Sequence, residues 1–300
     1  MNESVAISEV APRDGLQSIG PFVPTATKIA MVRALYEAGL RRMEIGSFVS
    51  PRHVPQMADT AEVLAAAKEL PGLECTVLVP NRKGFDLAMA AGADRLGFFM
   101  SVTEAHNQAN LNRSRADSLA ELSALVAEAA TAGKKMRFNL SCAFHCPFEG
   151  VVPTEDAIAF IAGACALDPA LEIGVADTTG NAAPDQVSTV FRALLRDWKN
   201  PFAYHGHDTY GMGVANALAA FEAGVRVFDS AAGGLGGCPF APGATGNTAT
   251  EDLVWMFRRM GVETGVDWSR LLVAADLSAA VPGGTPGGRM RGVPAARQAA

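Results

Sequence analysis

A chain of 300 residues with 49% hydrophobic and 19% charged side chains has ordinary globular composition, which excludes wholesale disorder and collagen-like or coiled-coil character. The balance of 25 basic against 31 acidic residues leaves a net charge of −6, which disfavours a non-specific nucleic-acid or anionic-membrane binder. An anionic ligand then needs a local cationic site. The opening MNESVAISEV has no basic region followed by an apolar run, and no charge-free stretch reaches membrane-spanning length; neither a secretory signal nor a membrane span is expected. Five scattered cysteines, Cys75, Cys142, Cys146, Cys165 and Cys238, are unlike a disulfide framework and point to a reducing, cytoplasmic setting. Cys142 and Cys146 have no second pair to complete a tetrathiolate zinc site, so they read as unpaired thiols.

Apolar runs of strand length alternate with helical periodicity along the chain. Val5–Val10 reads as strand and Thr25–Glu37 as helix. Further strands are expected at Arg42–Phe48, Glu74–Val79, Arg95–Met100, Met136–Cys142, Glu172–Ala176, Phe202–His205 and Val225–Ser230, each followed by an Ala- or Leu-rich helical stretch. In the predicted helix Ser118–Ala130, Leu119, Leu122, Leu125, Val126 and Ala129 form one stripe and Glu121 and Glu128 fall off it, so one face should cover a sheet. Gly39, Gly92 and Gly224 end helices just before strands, where glycine accepts the left-handed cap conformation. Eight such units fit a barrel of about 250 residues. Arg13-Asp14-Gly15 follows the first strand in place of a dinucleotide fingerprint, which favours closure. The expected architecture is a single (β/α)8 barrel over residues 1–280, with a Gly-, Pro- and Ala-rich flexible tail, residues 281–300, that has little to bury.

Barrel chemistry sits at the carboxyl ends of the strands. The first strand there offers Glu9, Arg13 and Asp14; the second carries Glu44 and runs into Ser47–Pro51; the sixth ends in Asp177-Thr178 and the seventh in His205-Gly206-His207-Asp208. Residues two apart in a strand point the same way, so His205 and His207 should project together as metal ligands, with hydrogen-bonded structural histidines as the alternative. Asp14 is the natural carboxylate partner, and a turn cap is its alternative role. Imidazole and oxygen donors suit a six-coordinate divalent ion such as Mg2+ or Mn2+. The glycine-rich stretch 233–247 after the eighth strand places Cys238 near its centre and reads as a catalytic lid. Asn247 introduces the last helix, as a cap, a metal ligand, or both in different states.

From about Val5 to Val266 the chain resembles the 3-hydroxy-3-methylglutaryl-CoA lyase family, whose wider group of barrel metallolyases includes the isopropylmalate and homocitrate synthases. The motifs are Pro12-Arg13-Asp14-Gly15-Leu16-Gln17, Ser47–Pro51 continuing to Val54-Pro55-Gln56-Met57, His205 to Gly211, and Gly236-Gly237-Cys238-Pro239 through Gly246-Asn247. The resemblance implies metal ligands Asp14, His205, His207 and Asn247, an acyl-CoA thioester substrate, and a homodimer. It implies Arg13 as the cation facing an enolate oxygen, Cys238 as the residue acting on the enolate carbon, and Asp177 and Glu44 as supports near the metal. It also implicates His205 as the base for the substrate hydroxyl. A metal-bound imidazole nitrogen cannot also accept a proton, so a change of role by His205, or Asp177, or a metal-bound oxygen remain alternatives.

Departures from the family pattern fall around the acyl group. Gly20 stands where the lyases have lysine, Asn139 where they have tyrosine, and Gly174 where they have serine; Gln17, Asn139, Gly174 and Thr178, with Arg13, are the expected substrate-binding set. The expected reaction is cleavage of hydroxymethylglutaryl-CoA to acetoacetate and acetyl-CoA. The alternatives are the same chemistry on citramalyl-CoA, giving pyruvate, or a Claisen-type condensation.

Overall fold

The computed structural model describes residues 3–237 and 246–294. Eight parallel strands close a barrel: β1 (Ala6–Glu9), β2 (Arg42–Ser47), β3 (Glu74–Val79), β4 (Arg95–Ser101), β5 (Lys135–Ser141), β6 (Glu172–Asp177), β7 (Phe202–Gly206) and β8 (Val227–Ser230). Each strand pairs with the next, and β1 pairs with both β2 and β8, with Ala6 opposite Val227 and Glu9 opposite Ser230. Sequences such as Glu74–Val79 are almost wholly buried, as parallel strands covered on both faces must be.

The covering helices follow from one-sided patterning. In α1 (Arg115–Thr131), Leu122, Leu125, Val126 and Ala129 are buried, while Glu121 pairs with Arg113 and Glu128 with Arg82 on the outer side. In α2 (Pro184–Asp197), Pro184 opens the first turn, the Gln186 side chain accepts the Ala183 N–H at 3.0 Å, and Val187, Val190, Phe191 and Leu194 face inward. Gly39 and Gly224 close helices at φ +99° and +115°, and a Cβ on Gly39 would lie 2.5 Å from the Gly265 carbonyl.

Three differences from the sequence expectation have physical causes. A two-stranded hairpin, His145–Cys146 with Gly150–Val151, is too short for a periodicity to announce it. Helix Thr250–Arg259 is capped by Ala249 and is followed by a further helix, Trp268–Ala279, so Asn247 neither caps a helix nor introduces the last one. The segment read as having little to bury does bury Val281 and Met290. It is tied down by Gly287 N–H to the Gly233 carbonyl at 2.8 Å and by Met290 N–H to Asp252 at 2.8 Å; residues 295–300 lie outside the described residues.

The lower barrel interior is ionic, where branched apolar layers are usual. Glu172 accepts Arg42 at 2.8 Å, Arg95 at 3.0 Å and Arg137 at 3.3 Å, and Glu74 accepts Arg95 at 2.9 Å and Lys135 at 2.6 Å. These residues begin or nearly begin their strands, so inward alternation stacks them at the amino end. Paired this way each charge is compensated; removing one partner of a buried pair costs about 3–5 kcal/mol.

Two buried acids behave differently. Glu9 accepts the N–H groups of Ala11 (2.8 Å) and Ala232 (3.0 Å) and the Thr250 hydroxyl (2.8 Å), while Glu251 accepts the Gly233 N–H at 3.1 Å. Burial pushes both carboxyls up to about 7. The folded protein therefore binds more protons than the unfolded chain between about pH 4.5 and 7, and stability falls as pH rises through that window. We expect Glu9→Gln to reduce the stability lost between pH 5 and 8 by about 1–3 kcal/mol; parallel denaturation curves for wild type and variant that stay equally spaced at both pH values would contradict this.

Candidate active site

After Glu9 the chain makes one wide turn, Ala11–Gly15, in which the N–H groups of Arg13, Asp14 and Gly15 all point to the Val10 carbonyl. Leu16 anchors the turn in the core. Its compactness turns Arg13 and Asp14 together over the carboxyl end of the barrel. The Arg13 guanidinium donates through Nε (2.8 Å) and Nη2 (2.5 Å) to Glu44 Oε2, and through Nη1 to Asp14 Oδ1 at 2.6 Å and Gln17 Oε1 at 3.3 Å. Gln17 returns a bond from Nε2 to Asp14 Oδ1 at 2.7 Å. The Arg-Asp-Gly-Leu-Gln motif is thus a closed network with Glu44 as its outer partner.

Asp14 Oδ2 is left to face the histidines. It lies 4.0 Å from His205 Nε2 and 3.8 Å from His207 Nε2, with the two rings 5.3 Å apart. One ligand atom from each of Asp14, His205 and His207 falls within 4.8 Å of the others, the one such cluster among the described residues. Cys142 and Cys146 are buried and lie outside it. The segment after β8 returns beside β7, and its close approach requires Gly246, where a Cβ would sit 2.0 Å from the Gly234 carbonyl. This return pairs Asn247 with His207 along the backbone. Asn247 Nδ2 donates to Asp14 Oδ2 at 2.8 Å and to the Leu235 carbonyl at 3.0 Å, while Asn247 Oδ1 and His207 Nδ1 are buried without a hydrogen-bond partner among the described residues.

The electrostatics suit a cation. Burial resists ionisation of Asp14, but Arg13 and the two histidines hold its carboxyl below the usual range. Burial pushes His207 down to about 4, leaving a neutral imidazole. At His205 burial opposes charge, and the hydrogen bond and charge of Asp229 outweigh it and raise the pKa. An ionised carboxylate, imidazole nitrogens and an orphaned amide oxygen form a donor set that a hard or borderline divalent ion fits.

Other expected residues have distinct environments. Asp177 is fully buried and accepts the N–H groups of Asn181 (3.0 Å) and Ala182 (3.1 Å); burial still raises it to about 6. Both its oxygens therefore hold the following loop. Thr178 Oγ1 accepts the N–H of Cys142 at 2.8 Å, bracing a residue with φ +56° at the end of β5. Asn139 Oδ1 accepts Arg137 Nε at 2.6 Å. Gly174 does not front open space: a Cβ there would lie 2.6 Å from Arg137 Nη2 and 2.7 Å from Asn139 Oδ1. Gly20 is exposed, with nothing within 4 Å of a Cβ. Cys238 lies outside the described residues.

Sequence reasoning missed Asp229 and Arg137. His205 Nδ1 is 3.1 Å from Asp229 Oδ2, and Arg137 grips both oxygens of Asp229 at 3.0 and 2.5 Å. Their signal was a charge inside a strand beside buried apolar residues, Met136 and Phe138 flanking Arg137 and Phe228 preceding Asp229.

The HMGL-like family model matches residues 4–277. The chain belongs to the HMGL-like family. Mitochondrial hydroxymethylglutaryl-CoA lyase of Mus musculus is 42% identical over 275 residues, covering 91% of this chain and 84% of its own. The (R)-citramalyl-CoA lyase of Chloroflexus aurantiacus is also 42% identical, over 292 residues, covering 94% and 92%. A solved HMG-CoA lyase from Acinetobacter baumannii, in complex with coenzyme A and 3-methylmalate, superposes with a TM-score of 0.90 at 36% identity, covering 97% of this chain and 95% of that one. This HMGL-like chain is accordingly a (β/α)8 enzyme of the oxo-acid-lyase class. No helix among its described residues is long and apolar enough to cross a membrane.

Proposed function

We propose that the protein is a divalent-metal-dependent lyase that cleaves 3-hydroxy-3-methylglutaryl-CoA to acetoacetate and acetyl-CoA. The observation that carries this reading is the arrangement at one carboxylate: Asp14 Oδ2 faces two imidazole Nε2 atoms while Asp14 Oδ1 is bonded to Arg13. Asp14, His205, His207 and Asn247 would hold the ion, Mg2+ or Mn2+, whose chemistry is to polarise substrate oxygens.

The remaining work falls to side chains. Cleavage removes the proton from the 3-hydroxyl, breaks the C2–C3 bond and leaves negative charge on the acetyl-CoA enolate. Arg13 has five N–H donors, and the contacts above engage four of them. The fifth, on Nη2, is available to the enolate oxygen, held by Glu44 so that no reorganisation is needed when charge develops. Cys238 would protonate or shield the enolate carbon. Gln17 fixes the Arg13–Asp14 geometry, and Thr178 and Asn139 shape the acyl side. The acyl-CoA substrate is supported by the relatives' names and by the coenzyme A in the similar structure. A homodimer and a cytoplasmic location complete the proposal; the relatives include both mitochondrial and cytoplasmic lyases.

A second reading keeps the chemistry and changes the substrate to citramalyl-CoA, which yields pyruvate. It is favoured by a citramalyl-CoA lyase relative as similar as the hydroxymethylglutaryl-CoA lyases and by the departures from the family pattern at Gly20 and Asn139, whereas the space beside Gly174 is filled by Arg137 and Asn139. Purified protein with Mn2+ and each thioester separates the two: acetoacetate release is expected, and pyruvate release without acetoacetate would transfer the assignment to the second substrate. Condensation of acetyl-CoA with a keto acid in the absence of cleavage would overturn both.

A further inference from the structure

We propose that Asp229 and Arg137 are positioning residues that lock His205 with its Nδ1 proton on Asp229 and its Nε2 lone pair toward Asp14. This rests on the metal-lyase reading above. Asp229, in β8, stands directly opposite His205 of β7 in the parallel ladder, so their inward side chains meet. The carboxylate accepts from His205 Nδ1 at 3.1 Å. A carboxylate only accepts, which dictates which ring nitrogen carries the proton. The carboxylate is itself fixed: Arg137, from β5 on the far side of β6, reaches across the interior and binds it with two parallel N–H bonds, the geometry that restricts both translation and rotation.

Arg137 has the room to do so because Gly174 of β6 carries no Cβ, which would sit 2.6 Å from Nη2. Two of its other three donors are taken by Asn139 at 2.6 Å and Glu172 at 3.3 Å, so the guanidinium is pinned by the ionic floor of the barrel. The chain Glu172–Arg137–Asp229–His205 therefore runs through strand residues alone. A carboxylate behind a ligating imidazole fixes its tautomer and orientation, and losing it costs about 10–100-fold in metal affinity. With Nδ1 on Asp229 and Nε2 turned to hold the ion, His205 would be a fixed ligand and another group would take the hydroxyl proton.

The test measures Mn2+ affinity by titration of the full-length protein, wild type against D229N and R137K, with urea unfolding as a fold control. A long-range 1H–15N spectrum of the wild-type protein with Mg2+ reads the His205 tautomer. We expect D229N to bind Mn2+ 10–100-fold more weakly than wild type and R137K to fall between them, since lysine keeps the charge and loses the fork. The spectrum is expected to show Nδ1–H at His205. Wild-type Mn2+ affinity in folded D229N, or an Nε2–H tautomer in the wild type, overturns the proposal. Should D229N not fold, the wild-type tautomer and the R137K affinity decide it. A wild-type chain that binds no Mn2+ overturns the metal reading and this proposal with it, whereas binding that D229N leaves untouched overturns this proposal alone.

Discussion

Replacing His207 with alanine is expected to abolish measurable Mn2+ binding and to lower kcat/KM by about three orders of magnitude, equivalent to roughly 4 kcal/mol of transition-state stabilisation. The fold should tolerate the change. His207 is buried and its Nδ1 has no hydrogen-bond partner among the described residues, so removing the ring breaks no hydrogen bond to them there and leaves a cavity partly offset by the loss of an unsatisfied polar atom. A destabilisation on the order of 1 kcal/mol is expected. Calorimetric metal titration beside a thermal melt separates the two effects. Undiminished Mn2+ affinity with undiminished turnover would sink the assignment of this histidine.

Arg13→Met should produce a different pattern, with both catalysis and stability affected. The guanidinium neutralises Glu44 and Asp14 at 2.5 and 2.6 Å, and all three side chains are nearly buried. Its loss strands two carboxylates, so about 3–5 kcal/mol of stability should go with it. If Arg13 faces the enolate oxygen, kcat should fall by about 10²–10³ with a smaller change in KM, because the contact strengthens only as charge develops. Asp14 also loses the cation that keeps its carboxyl low, so metal binding in R13M should weaken at a higher pH than in the wild type as the solution is acidified. Glu44→Gln is the milder counterpart, since Arg13 retains Asp14. A kcat unchanged in R13M at saturating Mn2+ would remove Arg13 from the chemistry and leave it a structural cation.

The eight strands were legible because parallel strands covered on both faces are written as short apolar runs, and helix ends are marked by residues such as Gly39 and Gly224. The cluster of Asp14 with His205 and His207 was legible because two histidines two apart on a strand share a face, and barrel closure brings the first strand beside the eighth. The supports of that cluster were not legible. Arg137 and Asp229 are far apart in sequence, and nothing local distinguishes a strand arginine that crosses a barrel from one that snorkels to solvent. The roles of Asp177 and Thr178 were likewise hidden, because their partners are backbone N–H groups whose direction appears only after the loops fold. The hold on residues 281–294 was obscured by composition: glycines suggest looseness, yet Gly287 and Gly234 approach so closely that a Cβ on Gly234 would lie 2.7 Å from the other's Cα.

The ionic floor of the barrel bears on how such an enzyme can diverge. Glu172, Arg137 and Asp229 are strand residues that reach His205 without passing through any loop, whereas Gly20, exposed on the loop after β1, belongs to no part of that wall. Inheritance can then rewrite a loop position such as Gly20 while the wall keeps His205 in register. Relatives named for two different thioesters, each 42% identical to this chain, are what a scaffold divided in that way would be expected to leave behind.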